Sequence, residues 1–133
     1  MKKREAAFNS LFNRWLRVEW TQSEPAAFEL KRTIKESLPF SALAEHQKQS
    51  LCNVEDAGLI YKIPDDSISY KPFDCFYLKG RGYVVVSFGA KIDEFFIIPI
   101  MVWVHEEETS KRRSLTRERA REIGDTIAVG KRL

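Results

Sequence analysis

From Ala26 to Thr33, apolar Phe28 and Leu30 alternate with charged Glu29 and Lys31. A period of two belongs to a strand with one apolar and one polar face. The alternation predicts a strand over 26–33, extending to about Ile34, with Glu29 and Lys31 side by side on one face. Any fold available to this chain must contain a sheet that leaves that face polar.

The flanking patterns are helical. Phe8, Leu11, Phe12, Trp15 and Leu16 recur at intervals of three and four and predict a helix over 3–18. Residues 20–25 and 36–40 read as loops. A second helix is expected over 42–57, with Ser41 as its N-cap and Gly58 at its end. Leu59–Ile63 reads as a short strand, parallel to the first if the helix between them is a right-handed crossover. Residues 72–78 and 83–88 read as a hairpin turning at Lys79-Gly80-Arg81-Gly82. Continuous hydrophobicity over 95–98 and 100–104 predicts strands buried on both faces, and Pro99 between them argues for a bulge or an edge position. Residues 105–113 read as a charged loop, followed by a last helix from Thr116 with Ala120, Ile123 and Ile127 as its apolar stripe. The expected fold class is α/β, a central mixed β-sheet flanked by helices, in a single domain over 1–133.

Composition narrows the function classes. A net charge of +3 is compatible with nucleic acid without demanding it. Cys52 and Cys75 lack metal-ligand spacing and read as reduced core thiols. The longest apolar run, 95–104, is too short to span a bilayer and contains a proline. No secretory leader pattern is visible, so a cytoplasmic location is expected and no membrane association.

Three features carry candidate chemistry. A carboxylate and an ammonium at i and i+2, as in Glu29 and Lys31, can serve metal-dependent phosphodiester hydrolysis: the acid holds a hard cation, and the lysine orients water or phosphate. The bland alternative is a solvated ion pair worth a fraction of a kcal/mol. Gln47 falls within the buried face that Leu43, Leu51 and Val54 define on the second helix, where a leucine is expected. It is either tied to nearby backbone or aimed over the Glu29–Lys31 face. His46 beside it reads as a solvated neighbour. Glu5 stands one turn before Phe8 and Asn9, on the edge of the first helix's stripe; it either faces the interior rim or answers the helix dipole.

Glu29-x-Lys31 on a strand, then Pro39-Phe40-Ser41, then a helix with His46-Gln47, resembles the PD-(D/E)XK nuclease superfamily, and within it RecU-like and archaeal-type Holliday junction resolvases. Glu5 in a basic, apolar-faced first helix fits the same resemblance, which covers residues 3 to about 63. The chain departs from the family pattern in having no aspartate ahead of Glu29, where members carry a metal-binding aspartate on a preceding strand. Pro72-Phe73-Asp74 is the candidate replacement, with Glu19 ranked below it. The resemblance implies a restriction-endonuclease-like core and a metal-dependent endodeoxyribonuclease. Glu29, Asp74 and the Leu30 carbonyl would hold Mg²⁺ or Mn²⁺, Lys31 and Gln47 would act beside them, and Glu5 would stand at the site. Branched DNA, a four-way junction, is the implied substrate. Lys2, Lys3, Arg4, Arg14, Arg17, Lys79 and Arg81 are expected to bind its phosphates. A homodimer is expected from the junction's two-fold symmetry, with the 95–103 strand or the first helix as its surface. The alternatives are a repair or restriction-type endonuclease, or an inactive nuclease-fold module that binds nucleic acid.

Overall fold

The computed structural model describes residues 2–62 and 73–129, with side chains in the first helix described from Ala6 onward. The chain runs α1 (Lys2–Glu19), β1 (Ala26–Arg32), β2 (Ser37–Pro39), a 3₁₀ turn (Phe40–Ala42), α2 (Glu45–Asp56), β3 (Leu59–Lys62), β4 (Cys75–Leu78), β5 (Arg81–Ser87), β6 (Glu94–Pro99), α3 (Ile100–Thr109), β7 (Ser114–Thr116), α4 (Arg117–Ile123) and β8 (Asp125–Ala128). It is an α/β fold around a mixed four-stranded sheet of order β1-β5-β6-β8. β1 is parallel to β5, and the other pairings are antiparallel.

The two middle strands are the apolar ones. Val84-Val85-Val86 and Phe95-Phe96-Ile97-Ile98 are buried on both faces, as their unbroken hydrophobicity requires. α1 covers one face, setting Phe8 and Phe12 against Val85, Phe95 and Ile97. Phe28 joins this layer, stacked on Tyr83 at 5.4 Å with its edge toward Phe12 and Trp20. The opposite face carries α2, α3 and α4, whose Leu43, Leu51, Ile100, Trp103 and Ala120 close over Val84, Val86, Phe96 and Ile98.

Several expectations are corrected. β3 is not parallel to β1; it pairs only with β4, antiparallel, in a separate two-stranded ribbon. β4 and β5 are therefore no hairpin, and the parallel neighbour of β1 is β5. The second strand expected over 100–104 is the start of α3. Pro99 ends β6, where no ladder N–H is needed, and sits at the N-cap of α3. It marks neither an edge nor a bulge, since β6 lies between β5 and β8. The charged stretch after 104 continues α3 to Thr109, burying Glu106 against Arg119, which grips both its oxygens at 2.8 and 3.0 Å. Thr116 caps α4 as expected, but the helix stops at Gly124, and Ile127 belongs to β8. The N-cap of α2 is Ala44, not Ser41. Cys75 is exposed and Cys52 only half-buried, so neither is a core thiol, though both are free. The 95–103 segment is interior, with Phe95 through Ile98, Ile100 and Trp103 all buried, and offers no surface to a second copy. None of the described helices is long and apolar enough to cross a membrane.

Candidate active site

β1 is an edge strand, and its hydrogen-bond parity fixes what the edge presents. The Arg81 N–H donates to the Pro25 carbonyl, and the Thr33 N–H donates to the Ser87 carbonyl. N–H and C=O of one strand residue point the same way, so odd-numbered residues from 25 to 33 address β5. The even-numbered ones, Leu30 among them, turn their amides toward the side that no described strand covers. Side chains alternate across the other axis. Glu29 and Lys31 share the face of their register partners Val84 and Val86, beneath α2 and α3.

On that face the three polar residues named from the sequence meet. Lys31 Nζ lies 3.6 Å from Glu29 Oε2. Gln47 Nε2 donates to the same carboxylate oxygen at 3.2 Å, and Gln47 Oε1 accepts the Ala44 N–H at 3.0 Å. Because α2 starts at Glu45, Gln47 occupies its third position, from which a side-chain carbonyl reaches back to the N-cap N–H. Both sequence readings of Gln47 are therefore realised, one at each end of its amide: it is tied to backbone and it reaches Glu29. The side chains of Glu29 and Lys31 are 32% and 19% exposed, shielded enough to strengthen their interaction and open enough to admit water.

A polar cavity of about 430 Å³ opens here. Its walls are residues 29–32 of β1, Leu38 and Ala42 of the segment that follows, and Phe8 and Asn9 of α1. Neither Asp74 nor Glu19 lines it. Asp74 is exposed just ahead of β4, on the ribbon, and Glu19 borders a separate, largely apolar cavity of about 360 Å³ between α1 and β8. The hairpin that was to carry Asp74 toward Glu29 does not form. His46 is exposed beside Gln47, as expected. The side chain of Glu5 lies outside the described residues, as do those of Lys2, Lys3 and Arg4. Arg14 and Arg17 on α1, and Lys79 and Arg81 at the entry to β5, are exposed.

Two cavity residues were not singled out from the sequence. Asn9 is one helical turn after Glu5, and its polarity within the α1 stripe was its only signal. Arg32 follows Lys31 directly, and its guanidinium donates to the carbonyls of Thr33, Ser87 and Ala90, clamping the end of β1 to the β5–β6 turn.

For a metal, the cavity supplies one carboxylate and, on the open edge, the Leu30 carbonyl. No group of three His, Cys, Asp or Glu side chains suited to a metal occurs among the described residues. That donor set does not make a protein cage for Ca²⁺ or Zn²⁺. It fits Mg²⁺, which keeps several waters and takes the rest of its shell from one or two carboxylates and substrate phosphate.

No family model, curated protein or solved structure matches this chain.

Proposed function

We propose that the protein is a metal-dependent, structure-selective DNA endonuclease of the cytoplasm that acts on four-way junctions as a homodimer. The observation that carries this reading is the shared engagement of Glu29 by Lys31 and Gln47 at the mouth of a polar cavity. Lysine–carboxylate pairs are common on sheets. A glutamine that spends its carbonyl on a helix start and its amide on that carboxylate fixes the acid's rotamer, as a reacting group requires.

Mg²⁺ held by Glu29 and the Leu30 carbonyl supplies charge stabilisation at the scissile phosphate. Lys31 donates hydrogen bonds to the attacking water or to a phosphate oxygen, at a site where part of the bulk solvent is excluded. Gln47 keeps Glu29 from collapsing onto Lys31, leaving Oε1 directed to the cavity. Glu5 is the favoured second acid, ahead of Asp74. It stands three and four residues before Phe8 and Asn9 on α1, and both of those line the cavity. Arg14, Arg17, Lys79 and Arg81, with the basic start of α1, contact phosphates without reading sequence.

The test is cleavage of a synthetic four-way junction against a matched linear duplex, with Mg²⁺ and with chelator. Junction cutting in Mg²⁺ alone is expected, and Lys31→Ala should lower its rate at least about 100-fold while binding in chelator persists. Salt-sensitive binding with no cutting under any divalent ion would sink the enzyme reading. It would favour a nucleic-acid-binding module, a second reading that draws on the single acid among the described cavity walls.

A further inference from the structure

Five cations unused above converge on the end of the cavity away from Lys79 and Arg81. Lys35 lies between two wall segments, since residues 29–32 and Leu38 both line the cavity. Lys91 sits in the β5–β6 turn, which is fastened to the same place twice: the Gly89 N–H donates to the Lys35 carbonyl at 3.2 Å, and Arg32 donates to the Ala90 carbonyl at 3.3 Å. Lys111, Arg112 and Arg113 form the loop between α3 and β7. This loop is about 80 residues downstream of Glu29, yet the antiparallel β2–β7 pairing joins it to the cavity wall. Leu38 faces Leu115 in that ribbon, and the Phe40 N–H donates to the Arg113 carbonyl at 3.0 Å.

All five side chains are exposed, and none has an ion-pair partner among the described residues. The nearby acids are largely taken up elsewhere. Glu36 pairs with Arg117 at 3.3 Å, and Glu94 with Arg121 at 2.6 Å and Arg117 at 3.8 Å. Asp93, on the turn with Lys91, has no such partner and offsets one charge. The rim is left with an excess of uncommitted positive charge, drawn from three chain segments and held in place by backbone hydrogen bonds.

We propose that Lys35, Lys91 and the Lys111-Arg112-Arg113 loop form a phosphate-binding rim that carries a nucleic-acid backbone across the mouth of the Glu29–Lys31 cavity. Exposed cations with no internal partner keep their full charge for an anion. A row of them beside a polar cleft matches a polyphosphate chain better than a single small anion. Binding by the rim stands on charge and placement alone; only its purpose, delivering a phosphate to Glu29 and Lys31, rests on the nuclease reading.

The experiment measures fluorescence anisotropy of a labelled four-way junction with the full chain in chelator, over a range of salt. Lys35→Gln with Lys91→Gln, and separately Arg112→Gln with Arg113→Gln, should weaken binding and flatten the log–log salt slope by about 2 per pair, close to one per lost phosphate contact. Unchanged thermal melts establish that both variants are folded. Slopes equal to the parent in both pairs overturn the rim, as does a parent chain that binds no nucleic acid at low salt. Cutting that survives with parental slopes would remove the rim and keep the nuclease. Flattened slopes in a chain that never cuts would keep the rim and remove the nuclease.

Discussion

The β5–β6 pair and the β3–β4 ribbon are built from the same kinds of residue and meet opposite fates. Val84 to Val86 and Phe95 to Ile98 are sealed from solvent between α1 and the layer of α2, α3 and α4. In the ribbon, Ile60, Tyr61, Phe76 and Tyr77 are exposed, Ile60 at 68%. The ribbon's rings serve one another: Tyr61 stacks on Phe76 at 5.3 Å and Phe73 approaches it edge-on. Its tie to the body is local, through the Tyr77 hydroxyl donating to the Ala57 carbonyl at 2.6 Å. Strand propensity is thus satisfied in both places, while burial, which supplies most of the stabilisation, is concentrated in one.

That contrast is open to direct attack. Phe96→Ala in the sealed pair should cost about 3–5 kcal/mol, and Phe76→Ala in the ribbon less than about 1 kcal/mol, read as urea-midpoint shifts at constant m-value. Equal costs would mean that the ribbon is part of the cooperative core. The site lies between the extremes. Gln47→Ala strips the Ala44 N–H of its acceptor and should cost about 1–2 kcal/mol, while Gln47→Glu keeps the acceptor but sets a second carboxylate against Glu29. If Gln47→Ala melts like the parent, the amide bridge holds nothing in place.

The smallest effect concerns the cysteines. Burial, aided by the charges of Asp56 and Glu55, pushes the Cys52 thiol above its ordinary value of 9.0, whereas Cys75 stands exposed on the ribbon. At pH 8 a thiol reagent should therefore label Cys75 well before Cys52. Because the folded state holds the Cys52 proton more tightly than the unfolded chain, its contribution to stability is whole below about pH 9 and fades as pH climbs through the folded value. Lys48, raised chiefly by its hydrogen bond to Glu45, has the same sign above its ordinary 10.5. Alkaline titration of the melting temperature should show a shallow decline, and a rise would contradict both assignments.

What the sequence disclosed follows from range. β1, α1 and the core of α2 announce themselves through periods within one segment, and Glu29, Lys31 and Gln47 come together because only 18 residues separate the acid from the amide. Strand partners are chosen across the whole chain, so the pairing of β4 with β3 instead of β5 had no local mark, and the role expected for Asp74 depended on that choice. Ile100 to Val104 is apolar at every position, which suits a buried strand and a buried helix equally. The structure settles it as a helix that buries Ile100 and Trp103 three residues apart. β8 has four residues and no alternation, and exists because β6 offers it a ladder. The rim was unreadable for the same reason: Arg113 meets Phe40 only through the β2–β7 pairing.

The stack of Phe28 on Tyr83 has a bearing on the polar site across the strand. Phe28 and Tyr83 are register partners, and so are Glu29 and Val84. Slipping β1 by one residue would push Phe28 toward the cavity and drive Lys31 into the aromatic layer beside Phe12 and Trp20, a burial of unpaired charge that the fold does not tolerate. The aromatic face therefore works as an error-correcting key: a chain that has aligned its rings has also aligned Glu29 and Lys31, with no catalytic residue needed to enforce it.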